Sequence, residues 1–379
     1  MLRTFGALEI FLEQLPDRIT SSVITNSRQI MLAVICLVQI ASTTAMCQLN
    51  ERAIDELFRD FFGNHPGASV MVIHDGKPVF AKAYGMADVD NKVPCTTNTN
   101  FRLASVTKQF TAMGILILAD RNKLSLDDKI TKFFPRFPKY GEQTTVRHLL
   151  THTSGVYDYD DPVPPGTTVQ MKDKDVLKTV AGHDETYFPP GTKFRYSNSG
   201  YALLALIIEK VSGQSYADFL KANVFTPLGM SNSVAFEDGI STVPNRAFGY
   251  AKNGDHFEPA DQSLTSAVLG DGGIYSSVVD MFKWDQSLYT DKLVSHARLK
   301  DAFTVHSKTS DMAGSGYGYG WYVAGPDHVW HYGSTCGFNT MINRFPQKKT
   351  TIIILTNRAD AKLTELTSKL VDVVMGAKL

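Results

Sequence analysis

The sequence predicts an α+β protein: an antiparallel sheet drawn from both chain ends and flanked by helices, plus an all-helical lobe between them. Three observations lead there. Hairpin-like pairs of apolar runs stand near both ends, in "ASVMVIHDGKPVFAKAYG" and in "NTMINRFPQKKTTIIILTN". A helical apolar period precedes the first pair and follows the second. The middle of the chain is helix-rich, its apolar runs closed by glycine or proline.

Taken in order, the first feature is "IMLAVICLVQI", Ile30 to Ile40. It is short for a membrane span and suits the apolar core of a signal peptide. Arg28 precedes it, and the small residues Thr43 and Ala45 follow. Residues 1–46 therefore read as a leader, 47–379 as the functional domain, and the protein as exported, to the periplasm or outside. Met1 to Gln29 is long for a leader's first region and carries acids as well as bases. Either a later translation start or an unusual leader accounts for that. The other reading is an anchor helix that stays attached, in which case the leader is a membrane tether.

"LNERAIDELFRDFFGN" carries apolar residues at Ile54, Leu57, Phe58, Phe61 and Phe62, a helical spacing with Asn50 as N-cap and Gly63 as stop. Asp75-Gly76 marks the turn of the first hairpin. Val106 to Arg121 is apolar on most sides and predicts a buried helix. "TTVRHLLTHTSG" predicts a short helix ended by Gly155. "SGYALLALIIEKVSG" predicts another, stopped by Gly213. "SYADFLKANVFTPLG" predicts a third, from Ser215 to Pro227. "YGYGWYV" and "VWHYG" predict a strand pair joined at Gly325-Pro326-Asp327. Leu363, Leu366, Leu370, Val371 and Val374 predict the closing helix.

Composition excludes several functions. The 379 residues hold 38 basic and 38 acidic side chains, so no positive surplus argues for nucleic acid. At 43% hydrophobic and 20% charged the chain reads as globular. Its four cysteines, at 36, 47, 95 and 336, have neither disulfide-framework nor metal-ligand spacing. No cofactor or metal is called for.

Chemistry concentrates in three places. Ser105 opens the buried helix, and Lys108 stands one turn on, so the amine can fold back along the same face. Burial lowers an amine's pKa, and a neutral amine can take the serine proton to make a nucleophile. The plain alternative is a capping serine and a solvated lysine. "FRYSNSGY" sets Tyr196 and Asn198 before another apolar helix. A phenol there could pass protons to a leaving group, and an amide could hold both substrate and lysine. "VWHYGSTCGF" sets His331 and Gly333 on an edge strand with backbone donors, where glycine would let substrate come close. "HLLTH" places His148 and His152 four apart, as zinc ligands are, but Leu149 stands where a metalloprotease has glutamate. Both histidines read as structural, His152 being favoured as a cation by the negative end of its helix.

These elements, in this order, resemble the serine β-lactamase and penicillin-binding protein superfamily. The branch they are most similar to holds class C β-lactamases, D-alanyl-D-alanine carboxypeptidases, D-aminopeptidases and esterases. "LSLDDKITKFFP", "TVRHLLTHTSGV", "VFTPLGM" and "GDGGIYSSVVDMFKW" extend the likeness from about Asn50 to the C-terminus. The resemblance implies an acylated Ser105, a general base in Lys108, and a Tyr196 that shares the base role and protonates the leaving group. It implies that Asn198 orients substrate and that the N–H groups of Ser105 and Ser334 form the oxyanion hole. It sets His331 where true β-lactamases carry a lysine, with Gly333 keeping that strand open. Histidine carries less charge at neutral pH, which argues against gripping a β-lactam carboxylate. The expected function is a serine hydrolase acting through an acyl-enzyme on a small-molecule or peptide substrate with an amide or ester bond. The alternatives are a true β-lactamase and a non-catalytic penicillin-binding sensor domain.

Overall fold

The computed structural model describes residues 49–160 and 168–376. The predicted leader, and with it the expectation of export, lies outside the described residues. Among the described residues no helix is long and apolar enough to cross a membrane.

Eight strands form the main sheet: β1 (Ala68–His74), β2 (Lys77–Tyr84), β3 (Ser307–Lys308), β4 (Gly316–Tyr317), β5 (Tyr322–Val323), β6 (Val329–Thr335), β7 (Phe338–Phe345) and β8 (Thr350–Thr356). Their order is β3-β4-β5-β6-β7-β8-β1-β2, every pair antiparallel. The two ends of the chain therefore meet in one sheet, where β1 pairs with β8 from Ala68↔Thr356 to His74↔Thr350. Asp75 and Gly76 turn the first hairpin with φ of +48° and +75°. Two successive positive φ values match the right-handed twist of the strands, and glycine takes the second at no steric cost.

Among the described residues the α-helices of five residues or more are α1 (Glu51–Leu57), α2 (Lys108–Asp120), α3 (Val146–Leu150), α4 (Asp173–Ala181), α5 (Asn198–Ser212), α6 (Tyr216–Leu220), α7 (Val278–Ser287), α8 (His296–Ala302) and α9 (Leu363–Gly376). All seven residues of β8 are buried, so both its faces are covered. Helix α7 packs on β1 and β8, and α9 packs on β7, β8 and α1. Away from the sheet, α5 packs against α2, α3, α4 and α6. Every residue of α2 except Asp120 is buried, which is why its sequence shows almost no polar face.

One buried ion pair ties helix to sheet. Arg344 Nε on β7 donates to Asp285 Oδ1 on α7 at 2.6 Å, and Thr351 Oγ1 on β8 donates to the same oxygen at 2.8 Å. Both charged side chains are about fully buried. Removing one partner leaves the other charge without compensation. Asp285→Ala should lower stability by about 3–5 kcal/mol, read as a fall in the urea midpoint at constant slope; a loss under about 1 kcal/mol would mean the pair contributes no more than a surface one.

Three elements differ from expectation. The buried helix begins not at Val106 but after a 3-10 turn over Ala104–Thr107. The helix expected from Ser215 to Pro227 widens into a π turn at Lys221–Phe225 before closing at Gly229. "YGYGWYV" is two strands, β4 and β5, because Gly320 at φ +79° folds the run back on itself and Gly318 N–H bonds to Trp321 C=O. Only β5 pairs with β6, at Tyr322↔Trp330 and Val323↔Val329.

Candidate active site

Ser105 stands on a strained turn. Ala104, just before it, is buried with φ +48°, a conformation that costs a residue with a Cβ on the order of 1 kcal/mol or more. The neighbours over-determine it. Leu103 N–H donates to Ile274 C=O at 2.8 Å, Thr340 Oγ1 donates to Leu103 C=O at 2.6 Å, and Ile274 N–H donates to Thr107 Oγ1 at 3.2 Å. The turn lifts Ser105 to a partly exposed position while Lys108, three residues on, stays fully buried.

The ammonium nitrogen of Lys108 has three partners. Nζ lies 3.1 Å from Ser105 Oγ, 2.7 Å from Asn198 Oδ1 and 3.0 Å from Asp271 C=O. The last two are carbonyl oxygens and can only accept. A neutral amine has two N–H bonds and one lone pair. With both N–H bonds given to carbonyls, the lone pair faces the serine hydroxyl. Burial pushes this amine down to about 8, against the pull of Asp271, Asp158 and Asp160.

Tyr196 completes the group. Its ring centroid is 4.9 Å from Lys108 Nζ, and its hydroxyl interacts with the Ser105 side chain. Burial pushes the phenol well above its ordinary value. Tyr196 therefore meets a substrate protonated, and Lys108 is the group with a lone pair to offer. Asn198 is the first residue of α5. Its Oδ1 holds Lys108, and its Nδ2 donates to the Asp160 carboxylate.

Ser105, Asn198 and Ser334 share the wall of one cleft with Asp160, Asp271 and Thr335. Ser334 is exposed on β6. The Ser105 amide nitrogen lies beside the neighbouring Gly333, where a Cβ would stand 2.9 Å from it. The two amides expected to face an oxyanion are thus on adjoining segments.

Two features of β6 go beyond or against expectation. Gly333 has a packing task beside the one expected of it. A Cβ on it would fall 2.2 Å from Leu103 C=O and 2.5 Å from Thr340 Oγ1, so glycine lets the strand press against the serine turn. His331 is not at the cleft wall. Strand alternation turns Val329, His331 and Gly333 to the buried face. There Nδ1 donates to Tyr332 C=O at 2.7 Å and Nε2 accepts from the Tyr317 hydroxyl at 2.9 Å. Burial and the charge of Lys108 push His331 down to about 3. It is a neutral ring behind Tyr196, 6.3 Å between centroids.

The expectation that a helix end favours charge on His152 also fails. Burial first, then Lys108 and His331, hold it well below the ordinary histidine value. His148 instead closes the start of its own helix, accepting from Thr145 N–H at 3.4 Å.

Sequence reasoning passed over a set of acids. The Asp158 carboxylate caps α5, accepting from Asn198 N–H at 3.0 Å and Ser199 N–H at 3.3 Å. The Tyr159 hydroxyl donates to Asp271 Oδ2 at 2.6 Å. Burial raises Asp271 to about 6. The available signals were "YDYD" after a helix-ending glycine and the lone acid in "GDGG", both in turns where no periodicity marks them.

A family model described as Beta-lactamase matches residues 54–373. Penicillin-binding protein 4* of Bacillus subtilis (strain 168) is 33% identical over 343 residues, covering 83% of this chain and 73% of that protein. The octameric penicillin-binding protein homologue from Pyrococcus abyssi superposes with a TM-score of 0.76 at 30% identity, over 86% of this chain and 76% of that one. The D-amino acid amidase from Ochrobactrum anthropi SV3 shares the fold, with a TM-score of 0.75 at 24% identity over 87% and 99% of the two chains. The strained serine turn, the lysine beneath it and the sheet closed from both chain ends are thus set in a chain that belongs to the Beta-lactamase family.

Proposed function

We propose that this protein is a serine hydrolase that takes an acyl group from a peptide, amide or ester onto Ser105 and passes it to water. The observation that carries this is the buried Lys108 amine, 3.1 Å from Ser105 Oγ with its other contacts spent on carbonyls. In the reaction Ser105 Oγ bonds to the substrate carbonyl carbon while its proton moves to Lys108 Nζ. The developing oxyanion meets the N–H groups of Ser105 and Ser334. The carbonyl carbon then breaks its bond to nitrogen or oxygen, and the leaving atom takes the Tyr196 hydroxyl proton, which the Lys108 ammonium restores. Water then bonds to the acyl carbon while giving a proton to the Lys108 amine; the bond from that carbon to Ser105 Oγ breaks, Oγ takes the proton back from Lys108, and the acid leaves.

Penicillin-binding relatives at 30% identity and above support penicillin as a probe. The strand β6 presents no cation to a β-lactam carboxylate, since His331 is neutral and buried. Penicillin is therefore expected as a slowly cleared label rather than a rapidly hydrolysed substrate. The test is intact-protein mass spectrometry after fluorescent penicillin and after a fluorophosphonate. One adduct per chain, on the peptide carrying Ser105, is the expected result. No adduct from either probe would leave a non-catalytic domain as the better reading, and rapid penicillin turnover would favour a true β-lactamase. Export is proposed with it, from the apolar run at Ile30–Ile40 and the small residues after it.

A further inference from the structure

His152 has no task in the reaction above, yet it holds Tyr196 from three sides. Its carbonyl oxygen accepts from Arg195 N–H at 2.9 Å, and its Nδ1 accepts from Ser197 N–H at 3.0 Å. The residues before and after Tyr196 thus hang on the same side chain and backbone. The imidazole itself lies 4.2 Å from the Tyr196 ring, centroid to centroid, tilted by 32°.

The arrangement is an unfavourable one locally. His152 has φ +56°, where a Cβ is crowded. Because Nδ1 accepts, the proton sits on Nε2, and that buried atom has no partner among the described residues. A residue chosen only to fill space would carry neither burden. Burial and the nearby Lys108 keep the ring neutral, and the bond from Ser197 requires this, since an imidazolium has no acceptor.

We propose that His152 is a positioning residue that sets where the Tyr196 hydroxyl stands, and so governs proton delivery to the leaving group without touching substrate. The inference rests on the reading of Tyr196 as the leaving-group acid. It separates from simple core packing because two probes differ in their need for that proton. Penicillin acylates Ser105 by forming an O–C bond and breaking the ring C–N bond, and the nitrogen must gain a proton. A fluorophosphonate forms an O–P bond and expels fluoride, which leaves without one.

The experiment compares labelling rates of the two probes in full-length wild type and four full-length variants, with thermal unfolding checked for each. His152→Phe keeps a ring and loses the acceptor. It should slow penicillin labelling about 10–100-fold and fluorophosphonate labelling no more than about threefold. His152→Asn keeps an acceptor near the Nδ1 position and tolerates the left-handed backbone, so the ratio of the two rates should stay within about threefold of wild type. Tyr196→Phe should skew the ratio by itself, and adding His152→Phe to it should skew it no further. Where His152→Phe fails to fold, His152→Gln replaces it, its amide reaching the Nε2 position and leaving Ser197 N–H without an acceptor. Equal slowing of both probes, with Tyr196→Phe still skewed, would overturn the role given to His152. A Tyr196→Phe protein with an unskewed ratio would instead overturn the reading of Tyr196, and the inference with it.

Discussion

Ser105→Ala will abolish covalent labelling by penicillin and by a fluorophosphonate, a loss of about 10⁴-fold or more, while leaving the fold intact. The loss is total in chemical terms because alanine has no oxygen to bond to carbon or phosphorus. The stability effect is small for reasons visible around the residue. Ser105 is partly exposed, so the change opens no cavity. Lys108 Nζ loses one partner but keeps Asn198 Oδ1 and Asp271 C=O. The Tyr196 hydroxyl loses its interaction with the Ser105 side chain. Two contacts at a partly exposed hydroxyl, each worth on the order of 1 kcal/mol, make a modest shift in the thermal midpoint. Mass spectrometry of the labelled variant beside its unfolding curve checks both halves. An adduct of undiminished yield would place the nucleophile elsewhere.

The meeting of Ser105 and Lys108 was legible because local geometry decides it. Serine and lysine three apart at the mouth of the most apolar helix can meet whatever the rest of the chain does. The two hairpins were legible for the same reason, since Asp75-Gly76 and the alternation around it are local signals. What escaped depends on distant segments. Whether His331 faces a cleft or a core follows from the register of β6 on β7, His331 opposite Ile342, and from how far β5 covers it. The task of Gly333 follows from the Leu103–Ser105 backbone some 230 residues earlier pressing on the strand. Asp158 and Asp271 reach the site through turns, and turns carry no period to count. Reading His152 as a charge-favoured helix end failed because the helix-end effect is weak beside full burial next to a lysine.

The second large effect concerns the base. Lys108→Met should slow acylation by penicillin about 10²–10⁴-fold, and the wild-type rate should climb with pH in a way the variant does not. The sign follows from which form of the amine works. Only the neutral form can take the serine proton. Burial holds the amine at about 8, so at pH 7 about a tenth of the molecules carry it neutral. The acylation rate should therefore rise about tenfold per pH unit below that value and level off above it. The neighbours do not produce this limb. His152 and His331 are already neutral on its acid side, and Tyr196 stays protonated beyond its alkaline side. Asp271, at about 6, acts in the opposite sense. Its ionisation as pH rises adds a charge that holds the proton on Lys108, so the limb should be shallower near pH 6 than near pH 7. Asn198→Asp would exaggerate that brake by setting a carboxylate where Oδ1 now lies 2.7 Å from Nζ, moving the whole limb to higher pH. A wild-type rate flat from pH 6 to 9, or a limb that persists in Lys108→Met, would mean that some other group removes the proton.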